Sequence, residues 1–520
     1  MAPIMTSGGH LTTTEELLLA GGDARISLDP LTGRNKYACA PRPEPGVAAL
    51  GSSTASSISA TGFQAANLLR RRLQEELHVS SAPALYTREL HRVRSELITL
   101  SGVADLAGTE IVFSSSGTDA HLITTQLVAR EGSSPLLVIM MEGDETGKGV
   151  PAALNGRHFS SRSALGAAFV EGAPILGARE IRVAPVTIRS AAGTPRPQGA
   201  IHREVETLAR AAAAQGERVL LILLDQSKSG LMAPTPAFAM ALQQLLPGKV
   251  DTLVDACQFR LAPSTLRGYL EQGFMVAVTG SKFITGPAFS GALFIPGEVA
   301  PRLSCCRLPA ALSAYSARAE WPPGWKGADT LDDVANFGLL LRWEAALAEY
   351  RAFRSIPQGD IPRFLGEFAA TIRQRLADDP SFEPLPAPEM ERAPLGDPAT
   401  WDRIPTIFPF LLRRPDGNLF SGDETQEIYR LLQQDLSGGA ERSWHHEAEA
   451  ARGLLCHVGQ PVSCGVRDGV PLSALRICTS SRLVVEASEA GSSERIRRRI
   501  IAALDKTAWL VANTARYPIG

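Results

Sequence analysis

Four short segments of this sequence carry residue types that could do chemistry together. They are, in chain order, Ser116-Gly117-Thr118, Asp255 with Gln258, Thr279 through Lys282, and Arg476. Each lies at or just after a run of apolar residues that predicts a short strand. Residues that follow parallel strands collect at one edge of the sheet, so these segments could form a single site.

The first segment has the composition of an anion-binding turn. Small residues at 116–118 follow a strand and open a helix, where free N–H groups and the positive end of the dipole favour a negative group. Thr118 could add a hydroxyl donor. A turn that only caps its helix gives the same pattern, so this segment alone leaves both interpretations open.

Asp255 and Lys282 each place a charge directly after a buried strand. Burying an unpaired carboxylate there costs free energy. Asp255 could therefore pair with a cation that is not a side chain, or it could simply cap the next turn. A lysine there is the type that becomes a Schiff-base amine. The chain has only seven lysines, and Lys148 and Lys228 are the main rivals of Lys282.

Arg476 interrupts an apolar strand near the carboxyl end of the chain. A buried guanidinium requires a carboxylate, which either the protein or a substrate could supply. An anion cradle, an acid, an amine and a carboxylate-binding arginine together meet the needs of pyridoxal phosphate. The phosphate needs the cradle, the pyridine nitrogen needs the acid, and the aldehyde needs the lysine.

The sequence resembles the fold-type I pyridoxal phosphate enzymes, and within them the class V aminotransferase and cysteine desulfurase group. Val254-Asp255-Ala256-Cys257-Gln258 is similar to that group's Val-Asp-Ala-x-Gln, and Lys282 follows Asp255 by 27 residues. The likeness covers roughly residues 60–300 well and the tail loosely. It implies a fold-type I large domain with a smaller α+β domain, and a homodimer with its active site at the interface.

The resemblance also implies roles for the candidate residues. Asp255 pairs with the pyridine nitrogen, Gln258 with the phenolic oxygen, and Arg476 with the substrate α-carboxylate. Lys282 holds the internal aldimine and later acts as a base at Cα. The resemblance implies that the phosphate is bound by Ser116, Gly117, Thr118, Thr279 and Ser281. Ser281 stands where the group has a histidine.

Two other strand ends give weaker candidates. The group places a ring-stacking histidine or aromatic residue where this chain has Glu142-Gly143-Asp144, so the residue that covers the ring stays open and Glu142 is one candidate. Asp225-Gln226-Ser227 follows another predicted strand and could touch cofactor or substrate. No loop carries an obvious nucleophilic cysteine of the desulfurase type.

The elements that position these residues alternate between strand and helix. Apolar runs predict strands over 110–114, 136–141, 218–225, 252–255 and 275–279, with amphipathic helices between them. This pattern predicts an α/β fold with a mainly parallel sheet covered on both faces. We predict an arm over 1–60, a cofactor-binding domain over 61–331, and a linking helix with a small α+β domain over 332–520.

Composition excludes several other classes of protein. Among 520 residues, 52 basic and 54 acidic side chains give a net charge of −2, so no basic field for nucleic acid or an acidic membrane exists. Apolar runs are too short to span a bilayer. The seven cysteines lack Cys-x-x-Cys spacing, which predicts no metal site and a reduced, cytoplasmic protein.

The predicted function is that of a pyridoxal phosphate enzyme of amino acid metabolism or biosynthesis. It would act on an α-amino acid, or a substrate containing one, through a Cα carbanion delocalised into the ring, in the manner of an aminotransferase. Elimination or replacement at the β or γ carbon, including carbon–carbon bond formation, is the alternative. A cofactor-free binding protein on the same fold and a nucleotide-binding α/β protein remain the competing classes.

Overall fold

Two β-sheets organise the computed structural model, which describes residues 10–388, 390–437 and 451–514 of the chain. The strands of these sheets are β1 (Val47–Leu50), β2 (Glu110–Ser114), β3 (Leu136–Met141), β4 (Arg182–Val186), β5 (Arg218–Asp225), β6 (Met232–Ala233), β7 (Val250–Ala256), β8 (Met275–Thr279), β9 (Gly291–Ile295), β10 (Phe382–Pro384), β11 (Ile407–Leu412), β12 (Leu455–Arg467) and β13 (Val470–Cys478).

The large sheet is mainly parallel, as predicted. Its strand order is β2-β9-β8-β7-β5-β3-β4, with the short β6 paired to β5. Strands β8, β7, β5, β3 and β4 run parallel, and β9 lies antiparallel between β2 and β8. The carboxyl ends of β5, β7 and β8 therefore meet at one edge, where Asp255 closes β7 and Lys282 follows β8.

Both faces of this sheet are covered, which is why its strands are apolar without alternation. Along β5, Val219, Leu221 and Leu223 belong to one buried apolar cluster. The intervening Leu220 and Ile222 belong to a second cluster on the opposite face. The fully apolar run of β5 is thus two alternating sets of core residues.

Helices lie between the strands of the large sheet, as predicted. Those of eight or more residues span Ala60–Glu76, Ala82–Leu100, Gly117–Arg130, Gln198–Ala214, Pro236–Leu245, Pro263–Glu271, Phe337–Arg354, Asp360–Ala377, Gly422–Leu432, Ser481–Ser488 and Ser492–Ala512, and shorter ones span Thr14–Leu18, Val150–Leu154 and Ala300–Ser304. Ser421 and Glu424 form a capping box at the start of the helix Gly422–Leu432. No helix in the described ranges is long and apolar enough to cross a membrane.

The second sheet joins the amino-terminal arm to the carboxyl-terminal part of the chain. Its order is β1-β12-β13-β11-β10, and β1 from the arm pairs in parallel with β12 through Val47 and Leu455. β12 and β13 form a long antiparallel hairpin within this sheet. The arm is therefore a structural part of this sheet.

Candidate active site

A cavity of about 1120 Å³ lies at the carboxyl edge of the large sheet, beside β12 and β13 of the second sheet. Every residue to which the resemblance assigns a role lines it. These residues are Ser116, Gly117, Thr118, Asp255, Gln258, Thr279, Ser281, Lys282 and Arg476. The structure therefore brings together segments that lie up to 360 positions apart in the chain.

The start of the helix Gly117–Arg130 forms one end of this cavity. The Ser116 side chain caps the helix by accepting from the N–H of Asp119 at 3.3 Å. In the described structure the N–H groups of Gly117 and Thr118 have no acceptor, as expected in a first helical turn. A Cβ at Gly117 would lie 2.4 Å from Sγ of Cys257, so only glycine lets this helix start approach β7.

Asp255 sits at the end of β7 with one oxygen committed to the backbone. Its Oδ1 accepts from the N–H of Cys257 at 3.1 Å, and its Oδ2 lies 3.4 Å from Nε2 of His121. Nδ1 of His121 is 2.7 Å from the Gly117 carbonyl oxygen, an acceptor, so this nitrogen carries the proton. His121 thus bridges the helix start and the acid, a role that its position in a helical pattern did not signal.

Lys282 is an amine without a fixed partner. Within the described residues its Nζ donates no hydrogen bond, although it lines the cavity beside Asp255. Removal from bulk water lowers its pKa, with repulsion from Arg476 adding to the effect and Cys257 and Asp255 opposing it. A lysine with a lowered pKa supplies the neutral, nucleophilic amine more readily than an exposed one.

Two hydroxyl groups flank Lys282 on the same turn. Thr279 donates to the Cys257 carbonyl at 2.8 Å, and Ser281 donates to Oγ1 of Thr279 at 3.2 Å. The turn thus ties the end of β8 to the end of β7. Both hydroxyls line the cavity together with Gly117 and Thr118.

Arg476 points from β13 into the cavity and has no carboxylate partner in the described structure. Nη1 donates to Oγ of Ser53 and to the Lys228 carbonyl, both at 2.9 Å, and Nη2 donates to Oγ1 of Thr54 at 3.1 Å and to the carbonyl of Gln460. Burial lowers its pKa. The salt bridge that the sequence left open is not formed, which leaves the guanidinium charge for a ligand.

Gln258 is positioned by the amino-terminal arm. Its Nε2 donates to the Ser53 carbonyl at 3.0 Å, while its Oε1 is buried without a hydrogen-bond partner. Burying an unsatisfied amide oxygen costs free energy that a bound group could recover. A polar ligand that contacts this oxygen would therefore lower the free energy of the site.

Other cavity residues lie outside the predicted set. Arg25 of the arm forms a two-pronged ion pair with Asp23, and its Nη2 lies 3.4 Å from Oγ of Ser116 at the helix start.

Four of the seven lysines line the cavity, namely Lys36, Lys148, Lys228 and Lys282. The sequence marks Lys148 and Lys228 as rivals of Lys282, whereas the position of Lys36 in the arm gave no sign of its place in the cavity.

The two weaker candidates are wrong or only partly right. Oε1 of Glu142 accepts from the N–H of Ile188 at 3.1 Å, and Glu142 does not reach the cavity wall, so it does not cover a ring there. Asp225 is also turned away, because it is held by a two-pronged pair with Arg392 at 2.6 and 2.7 Å and by Tyr269 at 2.7 Å. Of that segment, Gln226 does line the cavity.

Comparison with solved structures shows which class of fold this is. The chain has the fold of the fold-type I pyridoxal phosphate enzymes. A search of models of known protein families and a search of curated proteins found no match.

Two solved proteins illustrate the likeness. A NifS-like protein is 12% identical and superposes with a TM-score of 0.50, over 87% of this chain and 97% of its own. The cystine C-S lyase C-DES, in complex with cysteine persulfide, is 14% identical with a TM-score of 0.51, over 88% of this chain and 98% of its own. A C-DES variant with glycine covalently linked to its pyridoxal phosphate cofactor superposes at 15% identity and 0.51, over 88% and 97%.

Proposed function

We propose that this chain is a pyridoxal phosphate-dependent enzyme that acts on an α-amino acid or a larger substrate containing one, in the manner of an aminotransferase. One observation carries the proposal. In the described structure Lys282, an amine with a lowered pKa and no hydrogen bond, lies in one cavity with a free helix start, a strand-end acid and an arginine that pairs with no carboxylate. The fold, which solved pyridoxal phosphate enzymes share, supports it.

The residues present fit this cofactor. The free N–H groups of Gly117 and Thr118, with the hydroxyls of Thr279 and Ser281, are suited to a phosphate group. The unpartnered Oε1 of Gln258 marks a polar position that the protein leaves unfilled. When bound, pyridoxal phosphate supplies an aldehyde that reacts with amines and a ring that accepts electrons.

Each charged residue then has a defined task. Asp255 keeps a proton on the pyridine nitrogen, and Nε2 of His121 lies 3.4 Å from the Asp255 carboxylate. Arg476 supplies the positive charge for the substrate carboxylate, which would replace neutral acceptors that Nη1 and Nη2 hold in the described structure. Lys282 provides the amine for the aldehyde and, once released, moves the proton at the substrate Cα.

Reductive labelling tests the proposal directly. The protein is incubated with pyridoxal phosphate, reduced with borohydride and digested, and the labelled peptide is identified by mass spectrometry. We expect the label on the peptide containing Lys282, retained in Lys228→Ala and absent in Lys282→Ala. Lys228 is the matched control because it is a cavity lysine whose pKa burial lowers to about 8. An unlabelled protein, or a label on Lys228, would contradict the proposal.

The reaction class is tested on the cofactor-loaded, active form. We expect an amino acid donor to leave the cofactor in its amino form, released as pyridoxamine phosphate and seen by mass. Release of ammonia together with a β or γ leaving group would instead assign elimination, and release of the leaving group with a new amino acid and no ammonia would assign replacement. A homodimer is part of the proposal, and light scattering should give twice the 55.4 kDa chain mass.

A further inference from the structure

A second unpaired cation lies beside Arg476 in the cavity. Lys228 follows β5, and its Nζ donates to the backbone carbonyl of Asp144 at 3.0 Å. Across the residues that the structure describes, Nζ forms no ion pair with a carboxylate, and Lys228 lines the cavity. This lysine is thus held at the wall by a neutral acceptor, and the negative charges of Glu145 and Asp144 act on it without forming an ion pair.

The Arg476 side chain is held against the backbone of Lys228. Nη1 of Arg476 donates to the carbonyl of Lys228 at 2.9 Å, so the backbone of one anchors the side chain of the other. Repulsion by Arg476 and Lys282 contributes to the lowered pKa of Lys228, after the larger effect of burial. A protein gains no stability from such an arrangement, since like charges close together disfavour each other.

The nearby acids do not neutralise Lys228. Glu145 is buried in its own ion pair with Arg189 at 2.6 Å and also accepts from Ser229. Asp144 meets Lys228 through its backbone, and its side chain is exposed. The carboxyl edge around Arg476 and Lys228 therefore carries two positive charges for a ligand to balance.

A simple amino acid supplies only one negative charge at this end. If its α-carboxylate takes Arg476, as the proposed function requires, Lys228 remains without a counter-ion. Desolvated cations are costly when unpaired, and a second acidic group on the substrate would remove that cost. The cavity of about 1120 Å³ leaves room for such a group beside the cofactor.

The geometry points to a substrate that carries a second acidic group, a carboxylate or a phosphoryl group, bound by Lys228 beside the Arg476 site. This inference rests on the proposed function, because it places the α-carboxylate on Arg476. It narrows the substrate class from amino acids in general to acidic amino acids or larger substrates with an acidic arm.

Matched pairs of amino acids test this assignment on the cofactor-loaded enzyme. Aspartate and asparagine, glutamate and glutamine, and phosphoserine and serine differ only in the second group. Dissociation constants are measured from the change in cofactor absorbance. We expect at least one acidic member to bind about tenfold or more tightly than its neutral partner, which is the effect of one charge-assisted hydrogen bond. The phosphoserine pair separates a phosphoryl preference from a carboxylate preference.

Two variants identify the residue responsible. Lys228→Met should remove the preference for the acidic member and leave the neutral member's dissociation constant within about twofold, whereas Lys228→Arg should keep the preference. Equal binding within every pair of the wild type, or an equal loss for both members in Lys228→Met, would overturn the inference. Failure of the proposed function looks different, because no amino acid would then change the cofactor spectrum and Lys282 would carry no reductive label.

Discussion

Replacing Gly117 by alanine tests whether the proposed phosphate site depends on the close approach of Gly117 to Cys257. The added Cβ would lie 2.4 Å from Sγ of Cys257 and 3.4 Å from its Cβ. Ordinary contacts of a Cβ fall between 3.4 and 4 Å, so the Sγ contact forces the helix start and the end of β7 apart by about 1 Å. The Cβ contact alone would require no movement.

The size of the effect follows from this displacement. Overpacking of a tight interior costs typically about 1–3 kcal/mol of folding free energy. The same shift misaligns the N–H groups of Gly117 and Thr118, and a hydrogen bond to a charged group contributes about 1.5–3 kcal/mol. Loss of one such bond weakens binding of pyridoxal phosphate about 10- to 100-fold.

A double variant isolates the cause. Cys257→Ala removes Sγ and keeps Cβ, so Gly117→Ala in that background should recover most of the cofactor affinity and stability. Cofactor titration and urea unfolding measure both quantities for the four proteins of the cycle. If Gly117→Ala lowers cofactor affinity and stability by the same amount with and without the Cys257 sulfur, the steric reasoning is wrong and glycine serves another purpose there.

Three further perturbations have defined outcomes. Arg392→Met should lower the free energy of unfolding by about 3–5 kcal/mol in urea, because it leaves Asp225 buried and charged, and adding Asp225→Asn should restore much of the loss. Burial and repulsion from Asp23 raise the pKa of Asp119 to about 7. Because the folded form then binds a proton that the unfolded form has released, the free energy of unfolding of the cofactor-free protein should fall by up to roughly 4 kcal/mol as the pH rises from about 4 to 7. Asp119→Asn should flatten that part of the profile. Asp255→Asn should still be labelled at Lys282 but exchange the substrate α-hydrogen for deuterium about 10- to 100-fold more slowly, as followed by NMR.

The strands that the sequence predicts well are those buried on both faces. β2, β3, β5 and β8 begin and end where predicted, because runs of apolar residues bounded by polar ones admit few alternatives. β4 escapes prediction since it lies at the edge of the sheet, where Arg182 is exposed and Pro185 interrupts the strand pattern. β9 escapes it because this strand follows a Pro- and Gly-rich stretch typical of a loop.

The residues of the site likewise divide into those that the sequence could predict and those that it could not. Residues at the ends of parallel strands could be predicted together, because the topology alone brings Asp255 and Lys282 to one edge. The roles of His121, Arg25 and the second cation Lys228 could not, since they depend on contacts across the fold. For these three residues the scarcity of lysine is the one signal in the sequence. It marks Lys228 as a candidate amine but does not indicate the contact of Lys228 with Arg476.

The arm shows most clearly why local patterns could not complete the site. Ser53 accepts from Arg476 through its hydroxyl at 2.9 Å and from Gln258 through its carbonyl at 3.0 Å, across 423 and 205 positions of sequence. One residue of the arm therefore orients both the proposed substrate contact and a proposed cofactor contact. The arm can hold this position because β1, just before Ser53, is hydrogen-bonded to β12 of the second sheet. The proposed substrate contact and the proposed cofactor contact thus share one support, and a change at Ser53 should affect the binding of both substrate and cofactor.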